Sequence, residues 1–270
     1  MAHAARTKNP EGRMSLGEHF RELRNRLLIS SLVVAAGAVV GWYFYDPIVD
    51  FISAPVTAVR NAEGGRIVTL NFDTLTGAFA MQMKVSVFAG ILLASPVWIW
   101  QGWGFLLPGL TPKEKRVALS YFFAAIPLFL LGAALAGFSF PRLYRILLEF
   151  APDNFTNIQN ANDYLSTAMF FVLAFGLAFL LPVLLVALNQ IGILPARTML
   201  KGWRITLFLC LVFSAFMTPD PSGFAMIVMA MPIFVLYWCA VALSFALERR
   251  KRRRADRHDD LAPDEATPLP

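Results

Sequence analysis

Apolar residues in this chain come in long unbroken blocks, with neither the two-residue alternation of a half-buried strand nor the one-faced stripe of a surface helix. Six blocks stand out, at 27–45, 85–107, 117–140, 164–188, 205–217 and 224–247, and none contains Asp, Glu, Lys, Arg or His. Each stops at polar or helix-ending residues: Asp46-Pro47, Pro108-Gly109, Pro141, Asn189-Gln190, Thr218-Pro219-Asp220-Pro221 and Glu248-Arg249. Blocks of this length predict membrane-spanning helices, because lipid offers backbone N–H and C=O groups no partner outside a helix or a closed barrel. The prolines inside them, Pro96, Pro127, Pro182 and Pro232, mark expected kinks. The fifth block is short. Its 13 residues rise about 20 Å against a hydrocarbon core of about 30 Å, which predicts a locally thinned bilayer or a partly wet site.

The fold class expected is therefore an all-α polytopic membrane protein with six transmembrane helices and a short fifth one. Its organisation is a cytoplasmic N-terminal amphipathic segment at 1–26, a membrane domain at 27–247 and a basic-then-acidic, disordered tail at 248–270. The two longer polar connections, 46–84 and 141–163, are expected to form short helices that cap the bundle.

Composition agrees with this picture. Of 270 residues, 57% are hydrophobic and 16% charged, with a mean hydropathy of +0.57, against about 25% charged in soluble domains. Net charge is +6, but the basic residues are sorted by topology, so the charge is not read as a nucleic-acid signal. Nineteen of the 24 Lys and Arg fall in 1–26, in the connections after blocks two and four, and in the tail. The positive-inside rule then puts both termini in the cytoplasm. The polar, basic start shows no apolar core ahead of a cleavage site, so the first span is expected to stay in the mature chain. Cys210 and Cys239 lie inside apolar blocks and read as packing residues rather than a disulfide.

Much chemistry is missing. Spans without ionisable residues weigh against a proton-coupled transporter. His3, His19 and His258 are far apart, with no metal-ligand spacing. No phosphate-binding G-x-x-x-x-G-K and no G-x-S-x-G occur. Neither an enzyme nor a cofactor is expected.

What remains is a charged segment against the first block, E-H-F-R-E-L-R-N-R-L-L at 18–28. Glu18, Glu22 and Arg26 are spaced to share one helix face, and Glu22 to Arg26 is the favourable direction for an i,i+4 ion pair. The segment is either a lipid-anchored amphipathic helix or a docking site. A second acid, Glu114, follows Thr111-Pro112, where it is equally placed to cap a helix N-terminus.

Six motifs in this order resemble the TatC family, the signal-peptide receptor subunit of the twin-arginine translocase. They are H-F-R-E-L-R-N-R-L-L at 19–28, S-A-P at 53–55, S-P-V-x-x-x-Q-x-W-x-F at 95–105, P-G-L-T-P-K-E-K-R at 108–116, F-G-L-A-F-L-L-P-V at 175–183 and T-P-D-P at 218–221. The resemblance implies a cup-like bundle of six helices. It implies that Glu22 and Glu114 accept the two arginines of a signal peptide, with Arg24 fixing the loop or orienting Glu22. It implies that Phe105 packs beside the peptide, that Pro55 shapes the outer loop, and that Pro108, Leu110 and Asp220 lie in functional loops. The implied partners are the single-span TatA and TatB subunits, twin-arginine signal peptides of folded substrates, further copies of this chain and membrane lipid, with the proton-motive force driving export. In one place the chain departs from the family: many members carry Glu where Leu180 stands, and that carboxylate is associated with docking the single-span partners. A solute or lipid transporter and a structural scaffold are the alternative functions.

Overall fold

The computed structural model describes residues 16–62, 68–72, 74, 76–106, 112–149, 157–217 and 223–259. The described chain is helical apart from one pair of short strands. Helix α1 spans Leu16–Tyr43, α2 Tyr45–Ala62, α3 Gly77–Leu93, α4 Ser95–Leu106, α5 Pro112–Glu149, α6 Ala161–Ile191, α7 Ala196–Lys201, α8 Trp203–Met217 and α9 Gly223–Asp259. Four helices, α1, α5, α6 and α9, are each long and apolar enough to cross a bilayer. The bent pair α3 and α4 is long and apolar enough only when the two are taken together, and α8 is a shorter apolar helix of 15 residues. Many large apolar side chains point outward, among them Leu32, Tyr43, Ile205 and Phe216. A water-soluble surface does not carry that much apolar area, whereas a lipid-facing one does.

The charged segment at 18–28 and the first apolar block form one continuous helix. The second block is bent by 61° at Ala94, next to Pro96, which lacks the N–H that would continue the ladder. The indole of Trp98 donates to the Ile91 carbonyl at 2.9 Å, taking up an acceptor at the break. The connection at 46–84 contains one helix of 18 residues, α2, and the Tyr164 hydroxyl clasps it by donating to the Ile52 carbonyl at 2.8 Å. The other long connection differs from expectation. α5 continues through Pro141 to Glu149, and the strands β1 (Val68–Asn71) and β2 (Asn157–Asn160) pair in parallel, Val68 opposite Asn157 and Asn71 opposite Asn160. The described part of the tail, 248–259, differs too, while 260–270 lie outside the described residues. α9 runs on through the basic cluster to Asp259 where the sequence predicted disorder, because Arg, Lys, Ala and Glu favour helix and extending an existing helix needs no new nucleus.

Packing centres on α6. Phe171, Phe175, Phe179 and Leu165 of this helix are buried against Phe129, Ala133, Ala136 and Phe140 of α5 and against Met81, Val85 and Phe88 of α3. Gly132 and Gly176 allow the contact: a Cβ at Gly132 would lie 2.7 Å from Phe179, and one at Gly176 2.7 Å from Phe129. α1 meets α3 backbone to backbone, since a Cβ on Gly90 would come within 2.5 Å of the Val34 carbonyl oxygen. Close approach through small residues is how membrane helices gain dispersion contacts without a hydrophobic driving force. Cys210 is buried, Cys239 is exposed, and both are free thiols.

Candidate functional site

The start of α1 and the end of α4 meet at one end of the bundle. Three residues of α4, Gln101, Gly104 and Phe105, face α1 there, with the i, i+3, i+4 spacing of one helix face. Phe105 stacks on His19, ring centroids 4.3 Å apart and planes inclined by 24°. Two helical turns further along α1, Arg26 reaches back to Glu22 and across to α4. Its Nε and Nη2 both donate to Glu22 Oε1, at 3.0 and 2.6 Å. Its Nη1 donates to the Gln101 side-chain oxygen at 3.2 Å and to the Gln101 carbonyl at 3.4 Å. Gly104 makes room for this guanidinium, because a Cβ there would lie 2.2 Å from Arg26 Nη1.

The ion pair predicted from i,i+4 spacing is therefore present, and it is tied to a second helix. Both side chains are about three-quarters covered, 24% and 21% exposed, so the pair is more ordered than a solvated surface bridge. Glu22 Oε1 is fully used. Glu22 Oε2 is buried and accepts no hydrogen bond among the described residues. A carboxylate oxygen in that state is an open acceptor, and leaving it unmet costs free energy that an incoming donor would recover.

Arg24 lies off this face. It is exposed, and its guanidinium contacts the neighbouring Asn25 side chain at 3.4 Å, so Arg26 is the arginine that orients Glu22. Glu114 is the third residue of α5, in the helix's first turn. The five residues between α4 and α5 can span about 20 Å at most, which keeps the α5 start at the same end of the bundle as Glu22. The side chains of Glu114 and of Pro55, in α2, lie outside those described, and Pro108, Leu110 and Asp220 lie outside the described residues altogether. Sequence reasoning did not single out His19, Gln101 or Gly104, although the last two sit inside the quoted motif at 95–105, four and one residues before Phe105.

Two more features lie away from this cluster. Leu180 is half-buried against the cluster of Ile99, Phe122, Phe129 and Val183, so its surroundings are apolar. A concavity of about 670 Å³ opens between α1, α2, α3, α5 and α6 at the far end of α1, with Phe44, Phe51, Phe88, Leu92 and Phe138 in its apolar walls; its lining on α1 starts at Val40, about 27 Å along the helix from Glu22.

Comparison with known proteins settles the family. The model of the family described as Sec-independent protein translocase protein (TatC) matches residues 18–232. The chain belongs to the TatC family. The TatC protein of Xylanimonas cellulosilytica is 42% identical over 242 residues, covering 90% of this chain and 87% of that one. The TatC protein of Rothia mucilaginosa is 36% identical over 247 residues, covering 91% and 84%. A crystal structure of the twin arginine translocase receptor TatC aligns with TM-score 0.71 at 28% identity, covering 84% of this chain and 98% of that one. A second, determined in the detergent DDM, aligns with TM-score 0.72. The TatC fold thus covers most of this chain, and TatC proteins are non-enzymatic multi-pass membrane proteins.

Proposed function

We propose that this chain is the core receptor subunit of a twin-arginine translocase in a prokaryotic plasma membrane. It binds twin-arginine signal peptides on the cytoplasmic face and, with TatA and TatB, exports folded proteins at the expense of the proton-motive force. Family membership supports the receptor role. The observation that carries the site is Glu22, fixed between α1 and α4 beside Phe105 with one buried oxygen open. Guanidinium and carboxylate form short, charge-assisted hydrogen bonds in a planar fork that lysine does not reproduce, which gives a physical reason for an arginine requirement. Glu114 supplies a second carboxylate for the second arginine. The signal's apolar stretch then lies along the concave apolar face of the bundle, and thinning of the bilayer around α8 eases passage of the cargo. Both termini are cytoplasmic on the charge distribution. Leu180 leaves docking of the single-span partners to apolar packing. The relatives and solved structures named above give no support to a solute transporter or a scaffold.

The test is export of a folded fluorescent reporter carrying a twin-arginine signal, in cells that lack their own receptor subunit and receive this chain with its cognate partners. Export by the unaltered chain should fall by about tenfold or more in Glu22→Ala and in Glu114→Ala at matched membrane levels, as expected for loss of a charge-assisted pair. Equal export by all three would overturn the site, and no export by the unaltered chain would overturn the receptor role.

A further inference from the structure

Glu22 does not wait empty for a ligand: a guanidinium of the same chain already holds one of its oxygens. We infer that Arg26 is a specificity-determining residue, an internal occupant of Glu22 that an incoming arginine must displace and an incoming lysine does not. The inference rests on the reading that Glu22 meets a signal arginine.

The geometry supplies both halves of such an exchange. Arg26 places two donors, Nε and Nη2, on Glu22 Oε1. A ligand that takes over that oxygen has to replace two charge-assisted bonds at once. An arginine can do so with its own fork, and once Arg26 has moved aside its second donor can meet Oε2, which is buried and has no partner among the described residues. A lysine ammonium is a compact, strongly hydrated point charge, which gains less from a carboxylate already neutralised by a neighbour. The displaced Arg26 also has somewhere to go. Its Nη1 is already on the side-chain and backbone oxygens of Gln101, so it keeps two neutral acceptors when Glu22 changes partner. Discrimination then comes from a penalty on the wrong ligand as much as from attraction to the right one.

Gly104 provides an independent handle. It approaches Arg26 so closely that any Cβ there would displace the guanidinium, without altering a single charge in the site. Removing Arg26 and pushing it aside should therefore act in the same direction.

The experiment uses the full chain in lipid nanodiscs and two fluorescent synthetic signal peptides, identical except for Arg-Arg or Lys-Lys. The unaltered chain should prefer the Arg-Arg peptide. In Arg26→Gln the Lys-Lys peptide should bind more tightly and the preference should shrink by about tenfold, the worth of one charge-assisted bond. Gly104→Ala should shrink it in the same direction by less. It stands in for Arg26→Gln should that variant fail to fold. Glu22→Gln is the control for the underlying reading. If Glu22→Gln binds the Arg-Arg peptide as well as the unaltered chain, Glu22 is not the arginine site. If Glu22→Gln loses that peptide while Arg26→Gln and Gly104→Ala keep the original preference, or weaken both peptides in parallel, the site stands and Arg26 only braces it.

Discussion

Two helices of this molecule, α1 and α6, are each long and apolar enough to cross a bilayer and are used in opposite ways. In the most apolar stretch of α6, 61% of residues are buried inside the protein; in that of α1, 6% are. α6 is a pillar, touched by α3, α5, α8 and α9, while α1 is a wing, held to α3 by glycine contacts and to α4 by a charged cluster and an aromatic stack. Apolarity alone does not separate them, since lipid and protein interior are both apolar. What separates them is size along the helix. α6 carries large aromatics on its buried faces and small residues where α5 comes close, whereas α1 carries its large residues outward. The candidate site is on the wing, at its charged end, where a change of partner disturbs little packing.

The largest effect should come from the pillar. Phe175 is 1% exposed, with its ring 4.6 Å from Phe171 and 6.2 Å from Phe213. Phe175→Ala should cost about 3–5 kcal/mol, the usual loss for a large aromatic removed from a packed core. Its counterpart is Leu32→Ala on the wing, where Leu32 is 70% exposed, and that change should stay within about 0.5 kcal/mol. Thermal unfolding of the two variants in the same detergent decides the matter. Equal shifts would abolish the distinction between pillar and wing.

An intermediate effect should follow from cutting the pillar's tie to α9. Glu248 Oε1 accepts from the Asn189 side-chain amide and from the Ala196 backbone N–H, both at 2.7 Å, so one carboxylate joins the end of α6, the start of α7 and the end of the apolar part of α9. Glu248→Ala leaves the Ala196 donor unmet and takes one of two partners from the Asn189 amide, whose other bond goes to the Leu194 carbonyl. The loss should be about 1–3 kcal/mol. It should be read as amide exchange over Ala196–Lys201 about tenfold faster or more, with α1 unchanged. Faster exchange spread equally over α1 would mean that the wing leans on this knot as well.

The parts of the molecule that were legible in the sequence are those set by local chemistry. Long apolar blocks gave the spans, though not the ends of α5, which runs through Pro141, or of α9, which runs past Glu248-Arg249; Pro96 gave the bend, and i,i+4 spacing gave the Glu22–Arg26 pair. The parts that were not legible depend on residues far apart in the chain. Val68 and Asn157 pair across almost ninety positions, and no pattern in either four-residue strand names the other. Gln101 is 75 residues from Arg26, and Glu248 caps a helix that begins 52 residues earlier. The site itself was half legible for the same reason. Its acid stood out as a charge beside an apolar block, while the α4 residues that hold it, Gln101 and Gly104, are polar or small in a segment where neither property is unusual.

The smallest effect should be at the tip of the wing. His19 and Phe105 are stacked, an aromatic contact worth about 0.5–1.5 kcal/mol, and it lies about two turns from the Arg26–Gln101 bonds, so the two contacts hold α1 to α4 at separate points. His19→Ala should leave the unfolding temperature unchanged, because nothing on the pillar is touched. It should loosen only the first turns of α1. A spin label at Gly17→Cys, where nothing lies within 4 Å of a new Cβ, reads that local motion once the exposed thiol of Cys239 has been replaced by alanine. The spectrum should narrow in His19→Ala and return towards the original in His19→Phe, which keeps a ring to stack. A label as immobile in His19→Ala as in the unaltered chain would show that the charged cluster alone fixes the tip. The stack would then be free to open when Phe105 meets a peptide.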